Sequence, residues 1–164
     1  MSPTLAEQAN VSSILLAILV NLKRECNKRQ LFMAASSSDL QNILYKVLIG
    51  DWQYLSGGSH FEYGYLQDLI VFSDPDPIPF SPILNQAIEQ LKLAGMICWP
   101  DILELYLMRL NPNAVNYYEE RLLRNTPERL AYQDVIAAKE IAKTIAKHWK
   151  KLIVDRNYLM NLPN

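Results

Sequence analysis

Histidine and cysteine are the scarcest chemistry-bearing residues in this 164-residue chain, at two each. His60 and His148 stand far apart, and neither falls in a metal-ligand spacing such as His-Glu-x-x-His or Cys-x-x-Cys, which argues against metalloenzyme chemistry. Cys26 and Cys98 are also widely separated, each inside an apolar or helical pattern, and read as plain thiols of a reducing compartment. A nucleophilic pair of Cys98 with His60 would need the fold to assemble it, and no spacing asks for one. Glycine is rare as well. Gly57-Gly58 predicts a turn, without the third spaced glycine or the following Lys-Ser/Thr of a phosphate loop. Long apolar runs are missing: the longest aliphatic stretch, Ile14 to Val20, is too short to span a bilayer, and Glu7 stands where a signal peptide would carry positive charge. These absences point to a cytoplasmic protein with no membrane partner. Carboxylates abound without a spacing that specifies an acid–base couple, so neither an enzyme nor a cofactor is expected.

Half of the residues are apolar and a fifth are charged, the balance of a chain that buries a real core. The length fits one domain with a helical extension, divided as a core over 1–125 and a basic C-terminal helix over 126–164, packed on that core or mediating association. Charge is unevenly spread: residues 57–120 hold two cations, Lys92 and Arg109, among many carboxylates, whereas residues 121–164 are rich in Lys and Arg.

The clearest element is the stretch from Phe80 to Ile97. Ser81 supplies a helix cap, Pro82 fits the first helical position, and Gly95 can take the left-handed conformation that ends the helix. Ile83, Leu84, Ala87, Ile88, Leu91 and Ala94 share one face, which leaves Asn85, Gln86, Glu89, Gln90 and Lys92 outward. Upstream, a helix from Thr4 to about Cys26 carries Val11, Ile14, Leu15, Ile18, Leu19 and Leu22 on an apolar face and ends in Lys23, Arg24, Lys28 and Arg29, where cations favour a helix C-terminus. Ser38 with Gln41 has capping-box spacing and opens a second core helix through Leu40, Ile43, Leu44, Val47 and Leu48. Residues 60–72 read as an aromatic turn leading into a helix, and Asp74 to Pro79 as a stiff acidic connector. After Ile97, a β-hairpin wing with a strand over 102–107 competes with a helix from Pro100 to Leu110. Asn111-Pro112 and Thr126-Pro127 each read as a helix start. In the last helix Ile141, Ile145, Trp149 and Leu152 form the seam, and Lys139, Lys143, Lys147 and Lys150 a stripe.

Leu40-Gln41-Asn42-Ile43-Leu44-Tyr45, Phe61-x-Tyr63, and Pro79-Phe80-Ser81-Pro82 running to Gly95-Met96-Ile97 resemble the Panacea-type antitoxin family. Its members typically show Leu-Gln-Lys-hydrophobic-Leu-Tyr and then Tyr-Gly-Pro-Tyr-Ser before a helix ending in Gly-hydrophobic-Ile. Asn42 and Ile78-Pro79-Phe80 are the departures. The resemblance implies a mainly α, winged-helix-like domain that holds another protein, a toxin or effector, rather than catalysing a reaction. Phe61, Tyr63, Tyr65, Asn85 and Glu89 are the expected partner-binding residues. The alternative is a winged-helix DNA-binding regulator. Because phosphate contacts supply much of nucleic-acid affinity, its contacts fall to Lys139, Lys143, Lys147 and Lys150. The same charge asymmetry would also serve a homodimer, with the basic tail of one subunit on the acidic middle of another.

Overall fold

The computed structural model describes residues 5–31, 36–49, 63–73, 79–99 and 108–149. Among the described residues five α-helices dominate: α1 (Leu5–Lys28), α2 (Ser37–Leu48), α3 (Pro82–Leu93), α4 (Pro112–Tyr117) and α5 (Tyr132–Lys147). A 3₁₀ segment, Gly64–Asp68, lies between α2 and α3, and a π-helical turn, Tyr118–Leu122, continues α4. Two short antiparallel strands, β1 (Ile97–Cys98) and β2 (Arg109–Leu110), pair Ile97 with Leu110 and Cys98 with Arg109. The chain is therefore mainly α with a small two-stranded sheet. The predicted strand over 102–107, the Gly57-Gly58 turn, most of the acidic connector, Thr4 and Leu152 lie outside the described residues.

α1 is the centre of the packing. It lies against α5 along most of its length and against α3 on another side, and it also meets α4 and the π-helical turn. Residues 14–20 are buried in every direction, wider than the single face that the periodicity predicted. A helix that is apolar all round can only be an interior one. α5, packed on it, buries Ala137, Ala138, Ala142 and Ala146 beside the predicted Ile141 and Ile145, and Trp149 just beyond its end is buried as well. Small side chains let two helix backbones approach closely.

α3 follows its sequence signals almost completely. Ser81 Oγ accepts from the Leu84 amide at 3.3 Å and Pro82 opens the helix. Gly95, at φ +73°, ends it: the Gly95 amide donates to Lys92 O and the Met96 amide to Leu91 O, the paired bonds of a Schellman motif. Ala94 is the exception, exposed instead of buried. α1 ends in the same way with Gln30 at φ 57°, its amide donating to Asn27 O and that of Leu31 to Cys26 O.

Three helix starts differ from expectation, for one reason: the side chain has a better partner elsewhere. α2 is capped by Ser36, not Ser38. Ser36 Oγ accepts from the Asp39 amide at 2.9 Å and Asp39 Oδ2 accepts from the Ser36 amide at 2.8 Å, while Gln41, the box partner that Ser38 would need, is buried against Ser81. Asn111 does precede α4, but its side-chain Nδ2 donates to Gly95 O at 2.6 Å rather than the side chain capping the helix. Thr126-Pro127 starts no helix. The Thr126 hydroxyl donates to Arg121 O at 2.6 Å, closing the segment before it, and α5 begins five residues after Pro127, at Tyr132. Ser36→Ala is expected to lower unfolding free energy by about 1 kcal/mol, and exposed Ser38→Ala to change it by less than about 0.5 kcal/mol, both read from urea titrations.

Candidate functional site

The predicted partner-binding residues divide into two groups. Phe61 lies outside the described residues. Tyr63 is fully buried, which corrects its assignment as an exposed anchor. The aromatic turn read over 60–72 contains the 3₁₀ segment Gly64–Asp68, and at three residues per turn Tyr63 aligns with Leu66 in the core while Tyr65 turns away. Tyr65 is 37% exposed, yet its hydroxyl is committed, donating to the buried carboxylate of Asp134 in the first turn of α5. Burial, and then the hydrogen bond and charge of Asp134, push the Tyr65 phenol well above its ordinary value.

Asn85 and Glu89 are exposed on α3, and Lys92 Nζ lies 3.1 Å from Glu89 Oε1. One further turn along the same stripe is Leu93, 87% exposed, which sequence reasoning missed. The signal was available: 85, 89 and 93 recur at four-residue spacing, so Leu93 is an apolar residue on a polar face. The C-terminal half of α3 also borders a shallow notch of about 310 Å³ against α1 and Tyr117, lined by Leu16, Leu91, Ala94, Met96 and Tyr117 with Ser12, Ser13 and Gln90. Ser12 Oγ donates to Gln90 Oε1 at its edge.

A second surface lies where α1 and α5 run together. Lys139, Lys143 and Lys147 are exposed along α5, and Lys150 lies outside the described residues. Lys139 and Lys143 face Arg24 and Lys28 of α1 across a groove of about 510 Å³ whose remaining lining is Asn21, Glu25 and Asn27. Through Asn27 it adjoins a second groove of about 480 Å³ that includes Lys23 and Arg109. Carboxylates flank the cations: Glu119 lies 3.3 Å from Arg24, Glu25 lies 3.6 Å from Lys28 and 3.8 Å from Arg29, and Glu140 lies 3.7 Å from Lys143. The Arg24 guanidinium also sits 5.7 Å from the centroid of the Tyr118 ring, whose hydroxyl accepts from Asn21 Nδ2 at 2.9 Å.

Both cysteines are free, as expected. Cys26 is buried and its thiol is pushed up to about 11, chiefly by that burial, which leaves it protonated and inert at neutral pH. Cys98 is half-buried, with Sγ 3.9 Å from Asn111 Oδ1, and His60 lies outside the described residues. Among the described residues no cluster of His, Cys, Asp and Glu is arranged to hold a metal ion, and no helix is long and apolar enough to cross a membrane. Comparison with protein-family models, with curated proteins and with solved structures returns no match.

Proposed function

We propose that this chain is a non-enzymatic, cytoplasmic protein–protein interaction module, antitoxin- or adaptor-like, that binds and modulates a toxin or effector protein through the exposed face of α3. The observation that carries this reading is Leu93, 87% exposed at the end of the Asn85–Glu89 stripe, on a helix whose C-terminal half borders an apolar notch. An exposed apolar side chain with apolar surface near it and a polar rim is the composition of a protein-binding site. The order of α3, β1 and β2 supports the winged-helix reading. The same face serves a DNA major groove poorly, because Glu89 would meet phosphates and Lys92 is already drawn to Glu89.

A photo-crosslinker at exposed Gln86 identifies the protein held, and its affinity is then measured directly. Leu93→Asp, at an exposed position where the substitution costs the fold about 1 kcal/mol or less, is expected to weaken that complex at least 10-fold, about 1.4 kcal/mol. Crosslinking to no protein, or equal affinity of the variant, would sink the reading.

A further inference from the structure

We propose that the groove between α1 and α5 is a track for the phosphodiester backbone of a double-helical nucleic acid, a site separate from the α3 face. Two helices distant in sequence deliver its charge, Arg24 and Lys28 from one and Lys139 and Lys143 from the other. Lys139, Lys143 and Lys147 follow one another at four-residue spacing, about 6 Å apart along the helix axis, so the row continues past the groove. Through Asn27 the second groove adds Lys23 and Arg109.

The lining chooses among anionic occupants. Every side chain of the first groove is charged or an amide. A peptide would find no apolar anchor in this groove, the apolar side chains Leu31, Met108, Leu110 and Pro112 all belonging to the second, and protein interfaces are depleted in lysine. A phosphate backbone needs only cations and hydrogen-bond donors. A small phosphorylated molecule is held in a site that encloses most of its surface, whereas this groove runs on into the next. Neither lining contains an aromatic ring on which unpaired bases would stack, so the fit is to a duplex. The flanking carboxylates form surface pairs of little strength, which incoming phosphates replace. Glu25, the one acid of the first lining, has a side chain only 15% exposed and is shared by Lys28 and Arg29. The C-terminal end of α1 would repel an anion, but Cys26 O and Asn27 O are occupied by the Leu31 and Gln30 amides.

The test is fluorescence anisotropy of the full chain with short labelled DNA and RNA duplexes, titrated across salt concentration, with poly-glutamate as a second ligand. The expected result is duplex binding at low salt that weakens steeply as salt rises. Replacing Lys139 and Lys143 together by Glu should lower affinity at least 10-fold and flatten the log–log salt slope by about 2, and Lys28→Glu should flatten it by about 1. Arg129→Glu, in the loop before α5, and Leu93→Asp should leave both unchanged, which separates failure here from failure of the α3 reading. Comparing the two duplexes identifies the source of the phosphates. Absence of binding at low salt would overturn the proposal, as would an unchanged slope in the Lys139/Lys143 variant. Poly-glutamate held as tightly as the duplex, with the same lysine dependence, would overturn it in favour of an acidic protein.

Discussion

Ile18→Asp is expected to leave no cooperative unfolding transition, with the far-ultraviolet helical signal weakened and the tryptophan fluorescence, to which buried Trp149 contributes, already at its unfolded position without denaturant. Ile18 is 1% exposed at the middle of α1, in a run from residue 14 to residue 20 with no exposed member. A carboxylate there must be desolvated without a partner or protonated, and either costs several kcal/mol. Native stability is only about 5–15 kcal/mol. α1 packs against both α3 and α5, so displacing it leaves neither with a core to cover. Smaller truncations at the same site should be graded, about 1 kcal/mol for Ile18→Val and about 3 kcal/mol or more for Ile18→Ala. Urea titrations followed by circular dichroism and tryptophan fluorescence read all three. A sharp Ile18→Asp transition near the wild-type midpoint would mean that α1 is not the centre of this fold.

The elements legible in the sequence are those whose signals are local. α3 is the strongest case, since Ser81, Pro82, the spacing of its apolar residues and Gly95 all act within one helix length. The core positions of α2 and the seam of α5 were legible for the same reason. Caps were less so, because a hydroxyl or amide chooses among acceptors that only the fold brings near. Thr126 closes the turn behind it and Asn111 ties Gly95, and both choices depend on neighbours that no spacing rule contains. The C-terminal stop of α1 reads near Cys26 from its cations and falls at Lys28, without a glycine to fix it, since Gln30 does there what Gly95 does in α3.

The surfaces divide in the same way. Exposure of Asn85 and Glu89 followed from the helical period of α3; the same period puts Leu93 on their stripe, but an apolar residue is not expected on a polar face. Tyr63 was misplaced because a turn leading into a helix does not by itself say which of its aromatic side chains faces inward, and the 3₁₀ segment puts Tyr63 in the core. The lysine row on α5 was plain in the sequence, but its meeting with Arg24 and Lys28 was not. Those cations had a sufficient local explanation at a helix end, and only the packing of α1 on α5 puts both sets on one groove.

Gln41→Ala should cost about 3 kcal/mol, far more than an ordinary polar-to-alanine change. Gln41 is 4% exposed and pairs with the backbone of Ser81 in both directions, Nε2 donating to Ser81 O at 3.0 Å and the Ser81 amide donating to Oε1 at 2.8 Å. Ser81 O keeps the Asn85 amide as a donor at 2.9 Å. The fully buried Ser81 amide has no such second bond to fall back on, and an orphaned buried N–H costs about 1–3 kcal/mol in addition to the lost packing. Gln41→Glu tests the geometry more sharply. Its protonated carboxyl can donate to Ser81 O and accept from the Ser81 amide, as the native amide does; its ionised form cannot donate and must be buried facing a carbonyl. Both effects raise the folded-state pKa above the unfolded value of about 4.3. A group raised in this way contributes its stability below the unfolded pKa and loses it as pH rises through the folded one. The deficit of Gln41→Glu relative to the native chain should therefore be smallest in acid and widen toward neutrality, measured as urea midpoints of both proteins at matched pH. A constant difference would mean that the side chain does not hold Ser81. The consequence reaches the proposed function, because Ser81 is the cap from which α3 starts and Gln41 is what joins it to α2. A chain that keeps its core but loses this bond should present Leu93 less rigidly and bind its protein partner more weakly.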